Sequence, residues 1–273
     1  MKLSFFGPRA LFLAGALLFF SVAAAQKGMG IAPPRFEIVA PAGSTLTKVL
    51  NVFSHDLPDQ IIDVAVIDWW LDPEGTVQEL PAGANPYSAA SWLAVDTNPF
   101  SLVSGSAHSL RFSVTVPPAD GSLAGSYWAA IAFTTRPNPE KSDSGLAVLV
   151  KTRVLEIVYV TIQGTEQPAA ALQGLSMQAG ADGERFIIAD ILNKSNVYLR
   201  LKGDLRFINS QGETVKQIAL PIRVLLRDGL VRYRLQLPED LPDDVVLATI
   251  EVQPEGPNKS YGGPTLYGEI NLQ

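Results

Sequence analysis

His55 and His108 are the only two histidines in the 273-residue chain, and cysteine is absent. Those counts restrict the available chemistry. Zinc sites built from cysteine and histidine are excluded. A nucleophile–base pair must recruit one of the two imidazoles. The run Ser54-His55-Asp56 sets the three residue types of a triad side by side. A triad, however, is assembled in space from separate segments and not along one polar turn. His108 opens an alternating segment beside Ser106 and Ser109, with no nucleophile-elbow or metal-binding motif around it. Asp63 and Asp68 are five apart in a strand-like run, so they project to opposite faces and form no acid–base pair. Trp69, Trp70, Trp92 and Trp128 offer stacking surfaces, but tryptophans at alternating strand positions are expected to pack. Of the adjacent pair, one should face in and one out. The expectation is a non-enzymatic protein with no cofactor and no metal site.

The elements that carry these residues read as β throughout. "TLTKVLNVFS" (45–54) and "QIIDVAVIDWWL" (60–71) alternate apolar and polar, and the second runs into the turn "DPEG". "SWLAV", "HSLRFSVTV" and "SYWAAIAFTT" follow, separated by Pro, Gly, Asp and Asn. No amphipathic helix is evident. The pattern breaks at "QGTEQPAA" (163–170), a polar linker composition, and strand signals restart after it, with a hairpin around Gln211-Gly212. The sequence therefore predicts two antiparallel β-sandwiches in series, residues 26–162 and 171–273, joined by 163–170.

Residues 1–25 have the layout of a secretory signal peptide. Lys2 and Arg9 precede the apolar run 11–23, and Ala23-Ala24-Ala25 supplies small residues for cleavage before Gln26. Thirteen helical residues cover about 20 Å, too little for roughly 30 Å of hydrocarbon. Loss of Lys2 and Arg9 leaves 19 basic against 27 acidic residues, a formal charge of −8. Nucleic acid and anionic membrane call for basic stripes, so neither is an expected partner, and no stable membrane insertion is expected. An exported chain without disulfides must be held together by core burial.

The most unusual stretch is "GLAVLVKTRVLEIVYVTI" (145–162), eighteen residues without proline and without glycine after the first. Ordinary strands run to about 5–6 residues. By the period of two, Leu146, Val148, Val150, Thr152 and Val154 share one face, and Ala147, Leu149, Lys151, Arg153 and Leu155 share the other. From the residues alone the run reads either as a strand buried on both faces or as a strand with one displayed edge.

Several short features, in their order and spacing, resemble the periplasmic pilus-assembly chaperones, a family with two immunoglobulin-like domains. They are "APPRFEI" (32–38), "LNVFSHDLPDQIIDVAVIDW" (50–69), "FSLVSGSAHSLRFSV" (100–114), "SYWAAIAF" (126–133) and "SYGGPTLYGEINL" (260–272). The resemblance implies that Leu146, Val148, Val150, Thr152 and Val154 form a client-binding face. That strand would complete an exported subunit whose own β-sandwich is incomplete. It also implies that Arg35 helps bind the client's terminal carboxylate, a group that a guanidinium grips with two parallel hydrogen bonds. The family's second anchor is a lysine in the long strand. Its position here falls on Leu155 or on Glu156, depending on alignment. Lys151 and Arg153 are the nearby cations that could replace it through a bulge. The family's charged tie between domains has no visible counterpart around Val160 and Ser260, which implies other contacts there. The resemblance admits an outer-membrane assembly protein as a further partner. The alternative is a cell-surface structural or adhesive protein built from the same domains without chaperone activity.

Overall fold

The computed structural model describes residues 28–55, 57–136, 140–141, 147–148, 151–181 and 183–272, with the backbone alone at 140–141 and 147–148. The proposed signal segment and its cleavage site lie outside the described residues.

Twelve strands precede the polar stretch at 163–169. They are β1 (Gly28–Ala32), β2 (Arg35–Ala40), β3 (Thr45–His55), β4 (Gln60–Leu71), β5 (Val77–Leu80), β6 (Leu93–Val95), β7 (Phe100–Leu102), β8 (Ala107–Thr115), β9 (Ser126–Thr135), β10 (Glu140–Lys141), β11 (Ala147–Val148) and β12 (Arg153–Ile162). Eight follow: β13 (Ala170–Ala179), β14 (Arg185–Asn193), β15 (Leu199–Asn209), β16 (Thr214–Ala219), β17 (Arg223–Leu225), β18 (Leu230–Gln236), β19 (Val245–Glu255) and β20 (Leu266–Asn271). Two short 3-10 turns, Ala90–Trp92 and Pro257–Lys259, are the only helical segments among the described residues. The first of them takes the start of the expected "SWLAV" strand, which begins only at Leu93.

The first sandwich packs the sheet β1-β3-β8-β6 against the sheet β2-β12-β9-β4-β5, with β7 also on β4. Alternation explains its core. In β3, Leu50 and Val52 are fully buried while Val49 and Asn51 are exposed. They meet Ile62, Phe112, Ile131, Phe133, Val158 and Val160 in one cluster. The second sandwich packs β13-β14-β18 against β16-β15-β19-β20, with β17 also on β15, around Ile187, Leu201, Phe207, Tyr233 and Ile250. The architecture is two immunoglobulin-like β-sandwiches in series.

A third apolar cluster joins them. Trp69, Trp128, Ala130 and Tyr159 come from the first sandwich, and Tyr198 and Leu226 from the second. This corrects the expectation for the tryptophan pair. Trp69 is buried and Trp70 is half-buried, and both pack on this cluster. Neither is a free outward platform, because the end of β4 that carries them is covered by the junction cluster.

The first strand changes sheets at Pro33-Pro34. β1 pairs antiparallel with β3, whereas β2 pairs parallel with β12 in the opposite sheet. Prolines carry no N–H to continue a ladder, so pairing stops where they fall. The same effect divides the eighteen-residue apolar run. β12 pairs with β9 only over 153–161. Ala147 and Val148 pair instead with Lys141 and Glu140. On the partner side β9 ends at Thr135, and Pro137 and Pro139 follow in the sequence, where no N–H is available.

Candidate functional site

β12 is the element around which the candidate residues gather. Its even-numbered side chains Val154, Val158 and Val160 pack into the first sandwich core. Its odd-numbered side chains Leu155, Ile157 and Tyr159 pack on the cluster between the sandwiches. β2 lies beside it in parallel register, Arg35 opposite Ile157 and Glu37 opposite Tyr159. Residues in register share a face, so Arg35 and Glu37 project toward the second sandwich.

There they meet Tyr198 and Arg200. Arg35 Nε donates to Glu37 Oε1 at 2.6 Å, and Arg200 Nη2 donates to the same oxygen at 2.5 Å. Tyr198 Oη donates to Glu37 Oε2 at 2.9 Å. Burial alone would push the Glu37 carboxyl up. The bonds from Arg35 and Tyr198 and the charges of Arg200 and Arg35 outweigh it and hold the carboxyl below its ordinary value. The same bond raises Arg35. Tyr159 and Tyr198 stack beneath, ring centroids 4.2 Å apart, with the Arg200 guanidinium near both rings. The ion pair Glu37–Arg200 thus ties the two sandwiches, where the sequence suggested that no such pair exists. A cleft of about 570 Å³ opens beside it, lined by Arg35, Glu37, Arg200, Ile222 and Lys259 among others.

The tie is one of several contacts between the sandwiches. Gly125, with φ +79°, brings its backbone against Asn196, and Ser126 N donates to Asn196 O at 2.8 Å. Arg227 Nη1 donates to Ala124 O at 3.1 Å, and its guanidinium lies 4.1 Å over the Tyr87 ring.

The other proposed anchors lie elsewhere. Arg153 forms an ion pair with Glu79 of β5 at 2.8 Å and donates to Thr134 Oγ1 at 2.7 Å. Lys151 is exposed and adds its positive charge near the Arg136–Asp63 ion pair. Of the proposed client-binding face, Leu146 and Val150 lie outside the described residues, and Val148 is described by backbone alone. Thr152 bonds Thr135, its N–H to the hydroxyl and its C=O to the amide. Val154 stands opposite Phe133 and packs on the core.

The second edge of β12 is where pairing is incomplete. Pairing with β2 begins only at Ile157, opposite Arg35, so among the described strands Arg153–Glu156 pair with β9 alone. The amides of Thr152 and Ile162 face β9. By alternation the N–H and C=O groups of Arg153 and Leu155 face the other way, into the open edge. Next to them sits Glu156, wholly buried, with neither carboxylate oxygen bonded to any described group. Burial pushes its carboxyl up to about 8.

His55 and His108 are drawn into aromatic contacts. His55 meets the Phe53 ring edge at 5.2 Å, and His108 stacks on Phe100 at 4.1 Å. Asp63 pairs with Arg136, while Asp68 is buried and accepts from Asn85 N and Ser88 Oγ.

Sequence reasoning missed Glu37, Tyr198 and Arg200. One signal was present: Glu37 is two residues after Arg35 in "RFE", hence on the same strand face. Nothing local marks Tyr198 and Arg200, because their partner is more than 160 residues away in the chain.

No family model matches the sequence, and no curated protein is similar to it. Among solved structures the chain is similar to the class 5 fimbriae chaperone CfaA, at 14% identity and a TM-score of 0.42, covering 89% of this chain and 98% of that one. It is similar to a chain of the CsuC–CsuE chaperone–tip adhesion subunit pre-assembly complex of Acinetobacter baumannii, at 11% identity and a TM-score of 0.46, covering 89% and 97%. It is also similar to a chain of the Salmonella enterica SafA pilin–SafB chaperone complex, at 10% identity and a TM-score of 0.43, covering 91% and 99%. Over most of its length, and at low identity, the chain is similar in structure to fimbrial chaperones.

Proposed function

We propose that the chain is an exported, chaperone-like protein that binds partner subunits with an incomplete β-sandwich by offering them the edge of a strand. The observation that supports this reading is the open edge at Arg153–Glu156, next to the point where Arg35 pairs with Ile157. An incoming strand would take up the N–H and C=O groups of Arg153 and Leu155. Leu146, Val148, Val150, Thr152 and Val154 form the proposed strand-binding segment. Val154 contributes through its backbone, since its side chain packs on the chain's own core. Arg35 is the proposed anchor for the partner's carboxylate. Lys151 is the proposed second cation, ahead of Arg153, whose guanidinium Glu79 already holds. No helix among the described residues is long and apolar enough to cross a membrane. The reading places the mature chain outside the cytoplasm after cleavage before Gln26.

Affinity recovery of the tagged protein from the exported fraction, with mass spectrometry of what accompanies it, tests the proposal. A stoichiometric exported subunit that is unstable alone is the expected companion. Val148→Glu should abolish its recovery without lowering the melting temperature of the free protein, because a carboxylate buried unpaired in the complex costs several kcal/mol. Recovery of the chain alone, or a Val148→Glu protein that melts far earlier, would count against it.

A further inference from the structure

Arg35 and Lys259 line one cleft from the two sandwiches, Arg35 on β2 of the first and Lys259 on the turn Pro257–Lys259 of the second. Glu37 holds Arg35 through Nε. The two terminal nitrogens of that half-exposed guanidinium bond no described group, and side by side they suit a carboxylate. Lys259 is exposed at the cleft wall, and among the described residues no carboxylate pairs with it. Its backbone is held in the left-handed region, φ +61°, directly after Asn258 at φ +52°. Asparagine enters that region readily, whereas lysine does so at a cost. The turn is fixed around it. Gly256 N donates to Ser260 O at 2.9 Å, Ser260 N donates to Pro257 O at 3.0 Å, and Pro257 is buried. The turn also lies against β2. Strain maintained by a fixed surround clusters at ligand sites.

The charge balance of the cleft points to an anion. Its wall carries Arg35, Arg200 and Lys259 against Glu37 and Glu255. Glu37 is shared by Arg35 and Arg200, and Glu255 pairs with Lys202. The cleft is thus positive, in a chain of formal net charge −6. Lys151 does not complete this site. It stands six residues before Ile157, the register partner of Arg35, and so lies about 20 Å away along the strand. The Arg35 side chain turns the other way, toward Glu37 beside Tyr159. Lys151 is left for a different group of the partner.

We propose that Lys259 is a further anchor for the partner's terminal carboxylate, so that the second sandwich takes part in recognition. This rests on the reading of Arg35 as a carboxylate anchor. Arg35 orients the carboxylate through its terminal nitrogens, and the Lys259 ammonium supplies a point charge on a flexible stem. Glu37 keeps its bonds to Arg35, Tyr198 and Arg200 throughout.

The probe is a fluorescein-labelled pentapeptide of alternating valine and threonine with a free C-terminal carboxylate, titrated into the intact protein and compared with its C-terminal amide. The ratio of the two affinities isolates the carboxylate, and the parent should prefer the free acid. Lys259→Asn removes the cation and suits the left-handed backbone. The melting temperature should hold, and the preference should fall on the order of tenfold at low salt. Lys259→Arg should retain most of the preference. Lys194→Asn makes the same charge change at an exposed residue outside the cleft and should leave the ratio at the parent's value. A Lys259→Asn ratio equal to the parent's overturns the proposal, and so does an equal loss in Lys194→Asn. Arg35→Met tells the failures apart. A preference lost in Arg35→Met but kept in Lys259→Asn removes Lys259 and leaves the Arg35 reading standing. A parent with no preference for the free acid overturns the Arg35 reading and this proposal with it.

Discussion

Tyr159 at the end of β12 and Tyr198 ahead of β15 stack face to face across the junction of the two sandwiches, 4.2 Å between centroids and 28° between planes. Both are buried, and Tyr198 also donates to Glu37. The contact joins the strand with the open edge to the second sandwich, so changes at either residue should be felt by both. Tyr198→Phe removes only the hydrogen bond to a charged acceptor and should cost about 1.5–3 kcal/mol. Tyr198→Ala also opens a cavity and should cost about 3–5 kcal/mol, the range for large aromatic truncations. Urea unfolding of the two variants, followed by tryptophan fluorescence, checks the order and the gap.

Glu156 predicts a pH dependence of unusual sign. Its carboxyl is raised from an ordinary 4.5 to about 8 in the folded chain, the cause being burial. Between those values the folded state holds a proton that the unfolded state has released. Stability should therefore be full below about pH 4.5, fall as pH rises, and level off above about 8, losing several kcal/mol in all. Ile131 of β9 stands opposite Glu156, and burial is the one cause of the shift. No neighbouring charge offsets the effect. Glu156→Gln should flatten the slope in denaturation curves taken from pH 5 to pH 9, and Glu156→Leu should also raise stability at pH 8. A parent protein that gains stability over this range would contradict the assignment.

Gly125 shows how tightly the sandwiches meet. A Cβ there would lie 1.9 Å from the Asn196 carbonyl oxygen, and the residue holds φ +79°. Backbone does not yield as a flexible side chain does. Gly125→Ala should destabilise by more than about 1 kcal/mol and break the Ser126–Asn196 bond. Limited proteolysis within 163–170, the proposed linker, should be faster in this variant than in the parent.

Much of the architecture was legible in the sequence because strand alternation is local. "QIIDVAVIDWWL" is β4 residue for residue, and the hairpin at Gln211-Gly212 joins β15 to β16. Arg35 could be singled out from "APPRFEI". What failed did so where distant chain segments decide. The division of 145–162 depends on which partner still has N–H groups to offer. The packing of both Trp69 and Trp70 on the junction cluster depends on a second sandwich that no local pattern announces. Arg200 could not be matched to Glu37 because two strand patterns so far apart carry no mutual register.

Amide hydrogen exchange at Arg153 and Leu155 tests the central claim most directly. In the free protein these two amides face an edge with which no described strand pairs, and they should exchange fast, while those of Val154 and Val158, turned to β9, exchange slowly. On binding of a co-purified exported subunit, Arg153 and Leu155 should become protected together. If they are already as slow as Val154 in the free protein, or remain fast in a saturated complex, strand addition at this edge is wrong.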